Sequence, residues 1–288
     1  MYNKSMKVGI YTNIHKDKGF AVTEKLIENF SERGILCYAH DNLKGKVECA
    51  GFFSENDENG LDMMLTVGGD GTMLSISKWC AVKKIPVLGV NLGKLGFLTE
   101  AEPECFDKLA QDIVSENYTV EKRTVLCAKL DEKRFYALNE IVIARRNVSK
   151  MIMLKVDIDG APVDMYYCDG FIACTPTGST AYSLSAGGPV ISPTANVFAL
   201  TPVNSHSMHS RPIVIGDDET IGITLQARAD DAMVIADGKN VCVLPEKKTI
   251  RIFKAPKRAL FVRLNKNGFY ERLLRKLNSW SLTPAEES

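Results

Sequence analysis

In the first 117 residues, short solid apolar runs alternate with stripes of apolar residues at helical spacing. Lys7 to Thr12 reads as a strand. Phe20, Val22, Leu26, Ile27 and Phe30 then recur as one helix face, and Gly34 supplies a stop. Ile35 to Tyr38 predicts a second strand. Residues 40 to 60 are polar and glycine-bearing without a clear period, so they read as a variable connection. Leu61 to Thr66 predicts a buried third strand, followed by a helix over 73–82 and a fourth strand over Ile85 to Val90. Pro103 near a start, then Phe106, Leu109, Ala110, Ile113 and Val114, predict another helix. Strands alternating with helices in this way predict an open parallel sheet, whose ligands bind beyond the carboxyl ends of the strands.

From Tyr118 the texture changes to short β-like runs separated by turn residues. They cover Arg123 to Leu130, Phe135 to Ala144, Met153 to Ile158, Gly170 to Cys174, Thr220 to Leu225, Ala232 to Ala236 and Thr249 to Phe253. Asp159-Gly160 and Asp237-Gly238 read as hairpin turns. A mostly antiparallel β domain is predicted. Ala259 to Leu264 makes a last strand, and Phe269, Leu273, Leu274 and Leu277 give a final helix an apolar face. The fold class expected is α/β: an N-terminal parallel-sheet domain over 1–117, a β-rich domain over 118–261, and a segment 262–288 that packs back on the first.

Composition narrows the function classes. The chain has 288 residues, 45% hydrophobic and 25% charged, with a formal net charge of +1. That is an ordinary balance without the basic field a nucleic-acid surface needs. No run reaches the roughly 18 apolar residues of a membrane span. The eight cysteines form no CxxC pair and several lie in apolar runs, where a free thiol packs as a small hydrophobe. Reduced thiols and a start without an apolar targeting segment predict a cytoplasmic protein. No nucleic-acid or membrane partner is expected.

Candidate chemistry gathers in three places. Val67-Gly68-Gly69-Asp70-Gly71-Thr72 ends the third strand and enters a helix. Glycine there lets a ligand approach the backbone, and a helix entrance presents N–H groups to an anion. Asp70 would repel a phosphate unless it reacts or holds a metal; otherwise it is a helix cap. Neither GxGxxG at the first strand nor a Walker loop is present. The second place is Asn139-Glu140, a polar pair inside the apolar run Ala137 to Ala144. Such a pair is used for a ligand or belongs to an internal hydrogen-bond network. The third is Asp169 to Pro189, where Thr175, Thr177, Ser179, Thr180, Tyr182, Ser183 and Ser185 cluster with glycines. Hydroxyls and free N–H groups suit phosphate, ribose and adenine edges. His206 and His209 lack acidic or thiol companions at metal spacing, so no residue is assigned as a metal ligand.

Four blocks together resemble the NAD kinase family, which includes ATP-NAD kinases and inorganic polyphosphate/ATP-NAD kinases. They are Gly68 to Thr72, Asn91 to Thr99, Leu138-Asn139-Glu140, and Asp169 to Pro189 with its continuation into Leu200 to Val203 and Ser210 to Ile215. A glycine-Asp-glycine loop alone is shared with lipid kinases and phosphofructokinases; the full ordered set is much more specific. The resemblance implies transfer of the terminal phosphoryl of ATP to the 2′-hydroxyl of the adenosine ribose of NAD, giving NADP. It implies Asp70 as the catalytic aspartate, with Gly71 and Thr72 near phosphate. Asn139 and Glu140 match the pair that holds the ribose of the nicotinamide half or its neighbourhood. Thr180, Ala181, Tyr182 and Ser185 match the dinucleotide pocket, and Asp169 matches an acid at the nicotinamide end. Mg²⁺ or another divalent metal accompanies ATP. A homodimer or homotetramer is implied, with a neighbour partly closing the pocket.

One departure is visible: Val203-Asn204-Ser205-His206-Ser207 lacks the proline the family pattern places before the histidine. For Asp70 the reading is a base that takes the hydroxyl proton, ahead of Mg²⁺ coordination. Thr72 either donates to phosphate or caps the helix. Lys94 meets phosphate or lies at the surface. Two other functions remain: a diacylglycerol- or sphingosine-type lipid kinase, and a dinucleotide sensor without turnover. The hydroxyl-rich block argues against the first and Asp70 against the second.

Overall fold

Buried runs of β-branched and aliphatic residues set the strands, and the turns between them are marked by residues that tolerate positive φ. The computed structural model describes residues 5–57, 60–93, 96–147, 150–207, 210–226, 232–264 and 268–281. In chain order it contains β1 (Lys7–Thr12), α1 (Ala21–Ser31), β2 (Leu36–His40), β3 (Gly51–Phe53), β4 (Met63–Gly68) and α2 (Asp70–Lys83). Then come β5 (Val87–Asn91), α3 (Phe106–Val114), β6 (Thr119–Arg123), β7 (Leu126–Leu130), β8 (Lys133–Ala137) and β9 (Glu140–Arg145). The chain continues through β10 (Ile152–Ile158), β11 (Ala161–Cys168), β12 (Gly170–Cys174), α4 (Tyr182–Ser185), β13 (Val197–Val203) and β14 (Ile213–Gly216). It ends with β15 (Ile221–Leu225), β16 (Ala232–Ala236), β17 (Lys239–Leu244), β18 (Thr249–Lys254), β19 (Ala259–Arg263) and α5 (Gly268–Ser281).

Two compact units result: Met1–Lys122 with Leu260–Ser288, and Arg123–Ala259. The first carries a sheet in the order β3-β2-β1-β4-β5-β19-β6. β1 pairs in parallel with β2 and β4, β2 with β3, and β5 with β4 and β19. Val8, Ile10, Leu65, Val67, Leu88 and Val90 of the sheet share one core with Leu26 and Phe30 of α1 and Phe106, Leu109 and Ile113 of α3. Parallel pairing brings the carboxyl ends of β1, β4 and β5 to one edge. Phe269 of α5 meets Phe97 with ring centroids 6.4 Å apart, so the last helix belongs to this unit. No helix among the described residues is long and apolar enough to cross a membrane.

The second unit is antiparallel, with sheets ordered β11-β10-β15-β18-β7-β8 and β14-β13-β12-β9-β16-β17. Leu154, Ile223, Ile250 and Leu126 of one sheet and Ile143, Phe171, Phe198 and Val234 of the other join a single core. The sheets therefore stack face to face. Asp159 and Gly160 have φ 50 and 83°, and Asp237 and Gly238 have φ 46 and 74°, the paired positive values of a tight hairpin turn.

Several sequence expectations need correction. The connection 40–60 contains β3, whose three residues pair with β2 and bury Phe53; it is too short to carry a period. Helix α2 begins at Asp70, not Met73, because Gly69 is extended and caps it. The run Phe135 to Ala144 is two strands, β8 and β9, with a bend at Leu138-Asn139, so Asn139 is not inside a strand. Arg123 to Leu130 likewise divides into β6 and β7. β11, β13, β14 and β17 were not expected; β11 alternates poorly because it lies at a sheet edge with Met165 and Tyr167 exposed. Val114 and Leu274 are exposed at 55% and 61%, off the buried helix faces expected for them. The side chain of Leu277 lies outside the described ones.

Phe171 is fully buried and packs against Tyr166 at 4.9 Å between ring centroids. Phe171→Ala is expected to cost about 3–5 kcal/mol, since the core refills the space only in part. Urea unfolding of the full chain checks this; a loss under 1 kcal/mol contradicts it.

Candidate functional site

In the first unit the site grows from unpaired backbone groups at the carboxyl edge of the sheet. β4 ends at Gly68, and Gly69 (φ −154°, ψ −170°) turns the chain into α2. Thr72 and Met73 donate their N–H groups to the Gly69 carbonyl at 2.9 and 3.1 Å. The Thr72 hydroxyl is buried and accepts from the Gly69 N–H and from Asn13 Nδ2, both at 3.4 Å. It thus faces back into the helix entrance, while Gly71 is exposed.

Asp70 is the first residue of α2 and is partly exposed. Its carboxylate accepts from the backbone N–H of Phe97 at 2.8 Å and of Leu98 at 3.0 Å. Gly96 lies so close that a Cβ there would strike the Asp70 carboxylate. Only glycine leaves room for this approach. The gripping loop is itself anchored. Arg263 on β19 donates to the Leu98 carbonyl at 3.0 Å and pairs with Glu100 at 2.6 Å and Glu121 at 2.8 Å. Arg272 of α5 also pairs with Glu100, at 2.9 Å. Burial pushes the Arg272 guanidinium below its ordinary value, and Glu100 opposes that shift. Lys276 places its ammonium 4.1 Å over the Phe97 ring.

Lys16, in the turn after β1, was not singled out from the sequence. Its Nζ lies 3.1 Å from where a Cβ on Gly69 would stand. The turn is fixed by the Lys16 and Asp17 N–H groups on the Asn13 carbonyl, both at 3.0 Å, and by Asn13 N–H on the Val67 carbonyl at 2.9 Å. Its position after the first strand of a parallel sheet was the available signal. Lys94 lies outside the described residues.

In the second unit the Leu138–Glu140 bend is held from two sides. The Thr175 hydroxyl donates to the Leu138 carbonyl at 2.6 Å, and the Thr175 N–H to the Asn139 carbonyl at 2.9 Å. Gly178 packs so closely that a Cβ would strike the Asn139 carbonyl. On the other side the Asp237 carboxylate accepts from the N–H groups of Leu138 at 3.0 Å, Asn139 at 2.8 Å and Glu140 at 3.4 Å. The Asp237 N–H returns a bond to the Glu140 carbonyl at 3.1 Å. Asp237-Gly238 reads from sequence as a hairpin turn that the family resemblance places near the dinucleotide in an oligomer, outside the catalytic set; which strand end it reaches is a matter of sheet order.

Glu140 is buried, at 6% exposure, and its Oε2 has no hydrogen-bond partner. Burial first and the Asp237 charge second push its carboxyl up to about 7, against a bond from the Tyr182 N–H that lowers it. The structure thus brings Asn139, Glu140 and Tyr182 together. Thr180 and Ala181 follow Gly178 in the same turn, with Thr180 Oγ1 on the Thr177 carbonyl at 3.4 Å and Ala181 N–H on the Gly178 carbonyl at 2.9 Å. The helix after it is one turn only, Tyr182–Ser185, leaving Tyr182 46% exposed and Ser185 exposed.

Asp169 is elsewhere. It precedes β12, whereas Glu140 pairs with Cys174 at the other end of that strand. About 15 Å of extended chain therefore separates them. Asp169 pairs with Arg145 at 2.8 Å and accepts from Asn204 Nδ2 at 2.9 Å. Asn204, in the stretch that departs from the family pattern, takes a left-handed φ of 47°. His206 stands edge-on to Tyr167 at 5.9 Å, and His209 lies outside the described residues. Among the described residues no group of three or more His, Cys, Asp or Glu gathers to hold a metal.

Residues 8–118 match the family model of the ATP-NAD kinase N-terminal domain, and residues 138–264 that of the ATP-NAD kinase C-terminal domain. The chain belongs to the ATP-NAD kinase family. It is 39% identical to an NAD kinase of Bacteroides fragilis over 259 residues, covering 85% of this chain and 89% of that one. An NAD kinase of Caldanaerobacter subterraneus subsp. tengcongensis is 36% identical over 279 residues, covering 94% and 98%. Among solved structures, an NAD kinase from Archaeoglobus fulgidus in complex with ATP aligns with TM-score 0.74 and 30% identity, over 95% of this chain and 99% of that one. Yeast NADH kinase complexed with NADH aligns with TM-score 0.87 over 99% and 91%, and at 24% identity shows the shared fold. Both ATP-NAD kinase domains thus span the two carboxylate-held loops.

The Glu140 environment gives a signed prediction. Its folded value of about 7 lies above the ordinary 4.5, so between these values the unfolded chain has lost a proton that the folded chain keeps. Its contribution to stability is full below about 4.5 and is lost as pH rises through 7, by up to about 3 kcal/mol. Glu140→Gln removes that loss. The variant is expected to match the wild-type chain at pH 4 and to exceed it at pH 8 in urea unfolding. A difference independent of pH contradicts this.

Proposed function

We infer that the chain is an ATP-dependent NAD kinase, which transfers the terminal phosphoryl of ATP to the 2′-hydroxyl of the adenosine ribose of NAD, giving NADP. The observation that carries this is the match to both ATP-NAD kinase domains across residues 8–118 and 138–264. Phosphoryl transfer is mostly positioning and charge stabilisation, so little covalent chemistry is asked of the protein. In this reading Asp70 accepts the hydroxyl proton as transfer proceeds. Its two N–H bonds hold the carboxylate in one orientation at the loop. Gly71 leaves the helix entrance uncovered for phosphate, Thr72 braces that entrance, and the Lys16 ammonium supplies positive charge beside Gly69. Asn139 and Glu140 hold ribose hydroxyls, with Thr180, Ala181, Tyr182 and Ser185 forming the rest of the dinucleotide pocket.

The donor set fits a metal carried by the nucleotide. With one partly exposed carboxylate at the loop and no cage among the described residues, Mg²⁺ or a similar cation would be held mainly by the ATP phosphates. A cation held in that way would leave Asp70 free for the base role. When bound, the cation neutralises charge on the transferring group. A cytoplasmic location agrees with eight free cysteines, most of them buried.

Incubation with NAD and Mg-ATP, followed by detection of NADP, tests the activity. Asp70→Asn is expected to keep the fold and NAD binding and to lower kcat about 10²-fold or more. A rate within a few-fold of wild type removes Asp70 from the base role.

We also propose a closed homodimer or homotetramer. The apolar runs Thr220 to Leu225 and Ala232 to Ala236 offer no open edge for this, because β15 and β16 are paired on both sides. The support comes instead from β11, an eight-residue edge strand with Met165 and Tyr167 exposed at 51% and 47%. Such an edge needs covering. Asp169, remote from Glu140 along β12, would serve a dinucleotide held by a second copy. Sedimentation over a concentration series is expected to show a dimer or tetramer that Met165→Lys weakens. A monomer at tens of micromolar that binds NAD normally contradicts it.

A further inference from the structure

The acceptor bend carries an acid that the phosphoryl-transfer chemistry does not use. Asp237 spends its carboxylate on three successive N–H groups, those of Leu138, Asn139 and Glu140. A carboxylate placed there also stands beside the buried carboxyl of Glu140, whose Oε2 has no partner. A buried acceptor without a donor is costly unless a proton or a ligand completes it. We propose that Asp237 is a positioning residue which fixes the Leu138–Glu140 bend and loads Glu140 with a proton, so that NAD binding releases that proton to solvent. The proposal rests on the reading of Asn139 and Glu140 as the ribose-holding pair.

The groups around the Glu140 carboxyl make the sign definite. On the β16–β17 turn stands Asp237, the second cause after burial of its raised value. On β12 the opposed residue is Cys174, whose thiol burial pushes up to about 11, so it stays neutral from pH 6 to 8. At the start of α4 the Tyr182 N–H donates to Glu140. Before NAD arrives, the carboxyl is half protonated near pH 7. Two ribose hydroxyls supply donors that only the ionised form can accept fully, so binding favours the carboxylate. The proton leaves to bulk water, and no bond in NAD changes. NAD itself has no group that titrates between pH 6 and 8.

Calorimetry of NAD binding to the full chain, at pH 7 in buffers of different ionisation enthalpy, counts the protons. The wild-type chain is expected to release about half a proton at pH 7, and to bind NAD about tenfold more weakly at pH 6 than at pH 8. In Asp237→Asn the same transition moves to lower pH, proton release at pH 7 shrinks, and KM for NAD rises more than KM for ATP. Glu140→Gln, which leaves Asp237 and its bonds intact, is expected to bind NAD without proton release at any pH in the range. Proton-neutral binding by the wild-type chain overturns the proposal. So does an Asp237→Asn profile that coincides with the wild-type one, or proton release that persists in Glu140→Gln. Absence of NAD binding by the wild-type chain instead overturns the NAD kinase reading, which the NADP assay checks independently.

Discussion

Backbone N–H groups that run past the end of a strand have no ladder partner, and satisfying them is the constraint on which both loops depend. A buried or half-buried N–H left alone costs as much as a lost hydrogen bond. In each unit the solution is an aspartate from a neighbouring element. Asp70 takes the N–H groups of Phe97 and Leu98 in the first unit; Asp237 takes those of Leu138 to Glu140 in the second. Each acid thereby fixes the shape of a loop it does not belong to. Each bend also has a glycine packed against it: Gly96 against the Asp70 carboxylate, and Gly178 against the Asn139 backbone. The glycines of these family blocks are thus explained by crowding as well as by approach of a ligand.

The two acids differ in what their bonds do to reactivity. Asp70 has its carboxylate directed by two backbone donors at the mouth of a helix. That arrangement gives orientation, which is most of what phosphoryl transfer asks of a protein. Burial already pushes the Glu140 carboxyl up, and the Asp237 charge adds to that push where an uncharged serine or threonine cap would not. Arg263 and Arg272 extend the first arrangement outward. Their shared carboxylate, Glu100, ties β19 and α5 to the loop that grips Asp70. Leaving any one of these buried charges without its partner would be strongly unfavourable.

Much of the architecture was legible from pattern. β1 and the strands Gly170 to Cys174 and Ala232 to Ala236 have the limits that periodicity assigned, because solid apolar runs and glycine stops mark them. The short or exposed strands were not legible. β3 has three residues, and β11 and β17 lie at sheet edges where neither face is consistently buried. For the site, Asp70, Asn139, Glu140 and Tyr182 stood out by residue type and by resemblance to the ATP-NAD kinase family. Lys16 did not, and Asp237 stood out as a turn near the dinucleotide but not as the acid that holds the Leu138–Glu140 bend, since both roles depend on which strand ends meet. That is a property of sheet order, which local pattern does not encode. The split of Phe135 to Ala144 at Asn139 escaped notice for a similar reason: the bend is stabilised by Thr175, Gly178 and Asp237, all distant in sequence.

The position of β19 has a consequence for how the chain is made. It enters the first sheet between β5 and β6, although the residues Thr124 to Arg258, all of the second unit, come between β6 and it in the chain. During synthesis from the N-terminus, the second unit can close its sandwich while the first still has a gap in mid-sheet. Until residues Ala259 to Arg263 arrive, Val87 lacks its pairing partner Phe261, and Glu100 and Glu121 lack Arg263. The half of the protein translated first is therefore the half completed last, and its exposed strand edges in the interim are the ones a chaperone would need to shield.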